Sequence, residues 1–88
     1  MLRLTRTAER PHEVVLKAEG QIVAEWVGLL EEECLQLAAR AHQVVLDLAE
    51  VSYLDRRAVR AIRALSAGPV SVINCSPLVE ELLAEDLP

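Results

Sequence analysis

The sequence has almost no aromatic residues: Trp26 and Tyr53 stand alone, and phenylalanine is missing. Without stacking platforms, binding of single-stranded nucleic acid is disfavoured. Positive charge is scarce as well, with 9 Lys and Arg against 14 Asp and Glu. The resulting formal net charge of -5 argues against a polyanion, so nucleic acid is not an expected partner. The 3 glycines are widely separated and build no phosphate-binding loop. No apolar run reaches the roughly 20 residues that span a bilayer, and no N-terminal run resembles a signal peptide. A cytoplasmic location without membrane insertion is the expectation. Cys34 and Cys75 form no close-spaced pair and have no histidine nearby. They read as small buried hydrophobes, and no metal site is expected. His12 falls in a turn and His42 before the third strand, both as surface loop residues. Neither stands beside a nucleophilic Ser or Cys, so no catalytic residue and no cofactor are expected.

What the chain does have is aliphatic residues. Of its 88 residues 52% are hydrophobic, enough for one compact core in a single domain spanning 1–88. Leu2, Leu4 and Arg6 alternate with polar residues and predict a first strand. Ala8–His12, with Pro11, predicts a turn, and Glu13–Glu19 a second strand stopped by Gly20. The two make an antiparallel hairpin. Val23, Trp26, Val27, Leu30, Cys34, Leu37, Ala38 and Ala41 then recur at helical spacing along one apolar stripe. Glu31, Glu32 and Glu33 share that helix, with Glu31 and Glu32 on its solvated side.

Gln43–Leu48 is a short apolar run without strict alternation, which predicts a strand covered on both faces. Asp55 is placed to cap a second helix, whose core face is Ala58, Ala61, Ile62 and Leu65. Gly68 and Pro69 end it. Val70–Asn74 predicts a fourth strand. Ser76 caps a third helix that opens on Pro77, with Leu78, Val79, Leu82 and Leu83 on its apolar side. The fold class is therefore α/β: a four-stranded mixed sheet with three helices, in the order β-β-α-β-α-β-α. Its later strands should be parallel, with right-handed crossovers.

Asp47 and Asp55 are read as a loop-fixing hydrogen bond and a helix cap rather than a metal pair. The basic residues are less ordinary. Arg56, Arg60 and Arg63 follow i, i+4, i+7 spacing with Arg57 beside them, so four of the 9 basic residues fall within eight positions. Arg56 and Arg57 oppose the dipole at the helix start. One reading is a solvated face paired with the Glu-rich first helix. The other is a surface for an acidic partner or an anionic ligand, comprising Asp55, Arg56, Arg57, Arg60 and Arg63.

The run VVLDLAEVSYLD, Val44–Asp55, followed at once by an amphipathic helix, resembles STAS domains, the fold of bacterial anti-sigma factor antagonists. Gly20 and the run INCSPLVEELL, Ile73–Leu83, support the likeness, which spans nearly the whole chain. In that family a Ser or Thr follows the aspartate and is phosphorylated by a kinase that is also the anti-sigma factor. The unphosphorylated antagonist binds this kinase and frees the sigma factor. Here Arg56 stands at the acceptor position and Ala58 where a glycine is usual. Val23 stands where the family often has an aspartate after the second strand.

The resemblance thus implies a small STAS-like domain without the family's phosphorylation site. It acts as a non-enzymatic interaction module in bacterial signalling and transcription regulation. The implied partner is a protein: an anti-sigma factor kinase, another acidic protein, or a component of a transport assembly. A second copy of the chain is a further candidate. The alternative is a sensor of a small ligand or nucleotide, because some STAS domains are thought to bind ligands. Ser52, the Ser or Thr hydroxyl nearest the lost site, is expected to bond local backbone.

Overall fold

The computed structural model describes residues 2–41 and 43–84, so His42 lies outside the described residues. The elements are β1 (Leu2–Arg10), β2 (Glu13–Ile22), α1 (Glu25–Ala41), β3 (Gln43–Leu54), α2 (Arg56–Ser66), β4 (Val70–Ile73) and α3 (Pro77–Ala84). Their order is the expected one, and they form a mixed sheet in the order β1-β2-β3-β4. β1 and β2 are antiparallel, while β2 with β3 and β3 with β4 are parallel.

The strands run longer than the sequence predicts, and bulges are the reason. β1 continues to Arg10, so the expected Ala8–His12 turn shrinks to Pro11 and His12. A register slip between Arg6 and Ala8 brings Ala8 opposite Val15 and Arg10 opposite Glu13. Arg10 and Glu13 then pair across the turn at 2.7 Å. Gly20 does not stop β2. It takes φ 102, a left-handed conformation open to glycine, and the strand continues to Ile22. At that point the β2–β3 register slips: Gly20 opposes Val51 while Gln21 opposes Tyr53. Ser52 is the extra residue of this bulge.

β3 is twice the expected length, extending through Ala49–Leu54. Its buried positions are Val44, Leu46 and Leu48, then Val51 and Leu54. The spacing changes from two to three because bulges shift the parity. A search for strict alternation therefore stops at Leu48. The strand is central as expected, but only one of its faces is covered. Val45 and Asp47, which point the other way, are half-buried. The helices make one layer: α1 lies on β2 and β3, α2 on β3 and β4, α3 on β3, and α2 touches both other helices.

The core fills the space between sheet and helices, with Leu16, Ile22, Leu30, Leu46, Leu48, Leu54 and Ile62 fully buried. Truncating one such Leu or Ile to Ala costs about 2–5 kcal/mol. α1 begins at Glu25 rather than Val23, which is half-buried just before it. Its buried stripe is Val27, Leu30, Cys34, Leu37 and Ala41. Glu32 is solvated, but Glu31 and Glu33 are half-buried, and Glu33 accepts Arg6 of β1 at 3.6 Å. β4 stops at Ile73 because Asn74 turns to φ 58, a conformation asparagine tolerates. α3 starts as expected: Ser76 Oγ accepts from Val79 N at 3.2 Å. Leu78, expected in the apolar face, is 48% exposed, and Val79 carries the burial.

Candidate functional site

The junction of β3 and α2 is built around Asp55. Its Oδ1 accepts from Ala58 N at 2.8 Å, which caps α2 as the sequence predicts. Its Oδ2 accepts from Ala24 N at 2.8 Å, a contact absent from the sequence reading. Its own amide donates to the carbonyl of Ile22 at 3.2 Å, and its carbonyl accepts from Val59 N at 3.0 Å. One residue therefore fixes the start of α2 and ties it to the connection between β2 and α1. Ala24 sits there at φ 50, and Trp26 and Val27 donate back to the carbonyls of Val23 and Ala24. No sequence signal marks Ala24, since alanine has no preference for the left-handed region.

Arg56 is the first residue of α2, directly after the cap, and is exposed together with Arg57, Arg60 and Arg63. At the α-helical turn angle, Arg56, Arg60 and Arg63 fall within an arc of roughly 60°. The opposite face carries Ala58, Ala61, Ile62 and Leu65, joined by Val59, all buried. The expected division into a basic and an apolar face is present. Arg60 and Arg63 already make interactions within the protein. Arg56 and Arg57 form no ion pair with another described residue.

Tyr53, two residues before the cap in the chain, is 44% exposed. The sequence reading missed it as a surface feature. Its rarity as one of two aromatics, next to the Asp-Arg-Arg run, was the available signal. Ser52, expected to bond local backbone in a loop, lies in β3 and donates to the carbonyl of Gly20 on the neighbouring strand at 3.3 Å. Asp47 fixes local structure as expected: its Oδ1 accepts from Ala49 N at 3.0 Å and from Asn74 Nδ2 at 3.3 Å. Among the described residues no cluster of three or more acidic, His or Cys side chains could hold a metal. His12 is exposed in its turn.

The cysteines are not equivalent. Cys34 is buried in the core, and burial, then the Glu33 carboxylate, push its thiol up to about 12. Cys75 is only half-buried, and its thiol is raised by burial and then by Glu80. Among the described residues no helix is long and apolar enough to cross a membrane.

Comparison with known proteins agrees with this architecture. The unphosphorylated anti-sigma factor antagonist SpoIIAA superposes with a TM-score of 0.68 at 16% identity, covering 91% of this chain and 80% of SpoIIAA. Mglu superposes with a TM-score of 0.64 at 24% identity, over 86% of this chain but only 20% of Mglu. An uncharacterised protein of the DUF3478 family with a SpoIIAA-like fold, from Shewanella loihica PV-4, gives 0.59 at 15% identity, covering 88% and 69%. At these identities the likeness establishes the fold alone. No curated protein matches the sequence. The STAS domain family model matches residues 5–83, nearly the whole chain, and the protein belongs to the STAS domain family.

Proposed function

We propose that this chain is a non-enzymatic regulatory module that binds an acidic protein through the start and exposed face of α2. The observation that carries this reading is Arg56. It is exposed at the first position of α2, immediately after the Asp55 cap, and has no ion-pair partner among the described residues. Arg57, Arg60 and Arg63 extend the positive surface, and the exposed Tyr53 precedes Arg56 by three residues in the chain. Tyr and Arg, with Trp, are enriched among the side chains that anchor protein interfaces.

The resemblance to anti-sigma factor antagonists gives the class of partner: an anti-sigma factor kinase or an equivalent component of a bacterial signalling or transport assembly. Phosphorylation adds roughly -1.5 to -2 charges at such a helix start. Arg56 holds +1 there and accepts no phosphate by that chemistry, so the module stands without the family's switch at this position. A partner surface shaped for a small neutral hydroxyl would clash with the guanidinium, so the matching surface must be wider and acidic. The setting is cytoplasmic.

The test is to capture a partner from source lysate, purify it, reconstitute the complex and map it by amide hydrogen exchange. Protection gained over Tyr53–Arg63 supports the interface. Protection confined to β1 and the outer face of the sheet places the interface elsewhere.

A further inference from the structure

A groove of about 440 Å³ opens between α2 and α3 above β4. Its walls are mainly apolar: Ile62 and Ala67 from the α2 side, Val72 from β4 and Leu83 from α3. Three polar groups also line it. The Ser66 hydroxyl donates to the carbonyl of Ile62 at 2.8 Å, so its proton is used within the helix. The Cys75 thiol is half-buried and held in its neutral form, since burial and then Glu80 raise its pKa. Arg63 is the third, and alone among the lining residues it carries a permanent charge.

We propose that this groove binds a small amphipathic anion, a medium-chain carboxylate in its chemistry, with the apolar body against Ile62, Val72 and Leu83 and the carboxylate on Arg63. The volume falls within the roughly 300–1,000 Å³ of ordinary small-molecule sites. At roughly 30 Å³ per water-sized unit it holds about 15 non-hydrogen atoms. A carboxylate with a medium alkyl chain fits that space. A nucleotide exceeds it and would press the polar edge of its base against apolar walls, leaving those groups unsatisfied. Charge complementarity selects an anion, and the fork of the guanidinium matches a carboxylate. Arg63 already makes an interaction within the protein, but a guanidinium has five N–H donors and can keep it while receiving the ligand. The site uses the last turn of α2, whereas Arg56 and Arg57 open the helix at its other end. It shares Arg63 with the basic face, but the interface is tested at Arg56 and Arg60, which do not line the groove, so the two readings fail separately.

Decanoate, kept below its micelle-forming concentration, is the probe, with decanol and adenosine monophosphate as rivals. Thermal unfolding and amide chemical shifts of the full chain are the readouts. Decanoate is expected to raise the Tm by about a few degrees. Its shift changes should be confined to residues 62–67, Val72, Cys75 and Leu83. Arg63→Gln should weaken binding about tenfold, the value of one charge-assisted hydrogen bond. Ala67→Trp, at an exposed groove position, should abolish the response with the fold intact. The shift map holds the test open should that variant unfold. Any of the following overturns the proposal: no Tm rise with no shift changes, changes scattered away from the groove, or decanol or the nucleotide binding there as tightly as decanoate. An unchanged affinity in Arg63→Gln overturns it as well.

Discussion

Asp55 and Ala24 are 31 residues apart in sequence, yet the Ala24 amide donates to Asp55 Oδ2 at 2.8 Å while Oδ1 caps α2. A single carboxylate therefore ends one connection and begins the helix that carries the basic face. Asp55→Ala should lose both bonds and cost about 1–2 kcal/mol, with most of the loss from the cap. Asp55→Asn can still cap α2, but its amide group faces the Ala24 N–H, donor against donor. An intermediate loss of roughly 1 kcal/mol is expected. Urea denaturation of the three proteins reads both values, and an Asn variant as stable as wild type contradicts the two-sided role.

Ala24 tests the same junction from the other side. Its φ of 50 costs an L-residue roughly 1–2 kcal/mol, and glycine avoids that cost but loses more conformational entropy on folding. Ala24→Gly should thus stabilise the protein by up to about 1 kcal/mol, seen as a higher urea midpoint. A lower midpoint would mean that the Asp55 bond does not hold Ala24 in this conformation.

Phosphorylation offers an independent check. Ser52 is the Ser or Thr hydroxyl closest in sequence to Arg56, is exposed, and donates to the Gly20 carbonyl across the bulge. Its role is structural, so incubation with kinases from the source organism should leave it unmodified in mass spectrometry. Phosphate on Ser52 would restore a switch and remove the reason for reading Arg56 as its replacement.

Cys34 predicts a pH dependence. Its pKa rises from 9.0 to about 12 in the folded protein, first by burial and then through Glu33. The folded state then keeps a proton that the unfolded chain releases above pH 9. This contribution is fully present below pH 9 and is lost as the pH climbs toward 12, at about 1.4 kcal/mol per pH unit at most. In Cys34→Ala the alkaline decline should be shallower, although the core loses a little stability at every pH. Urea midpoints of both proteins from pH 8 to 11 measure the difference, and parallel declines contradict it. In the native state Cys34 should also resist thiol reagents that modify Cys75.

Much of this was legible in the sequence, and the parts that were not share a cause. Helical spacing located all three helices, because Leu30, Cys34 and Leu37 or Ala58, Ala61 and Ile62 recur on one face whatever surrounds them. Caps at Asp55 and Ser76 fixed where two helices begin. The strands were shortened in the reading because period-two patterning fails at bulges. Gly20 looked like a stop but supplies a left-handed residue inside β2. Val51 and Leu54 looked like loop residues but continue the core of β3 in shifted register. Asp55 was readable as a cap through its local spacing. Its bond to Ala24 was hidden because it depends on how two distant segments meet, as does the groove between Ile62, Val72 and Leu83.

Charge reversal combined with a salt series shows whether the basic face of α2 is the partner surface. Arg56 and Arg60 point away from the core, so Arg56→Glu with Arg60→Glu should cost about 0.5 kcal/mol beyond the loss of the interaction Arg60 makes within the protein. Circular dichroism checks that the fold is kept. Wild type and double mutant are compared as baits for the partner across rising salt. Wild type should hold the partner at low salt and release it as salt screens the charges, while the double mutant should fail to hold it at any salt. If both proteins hold the same partner with the same salt dependence, the arginines are solvated surface and the interface lies elsewhere.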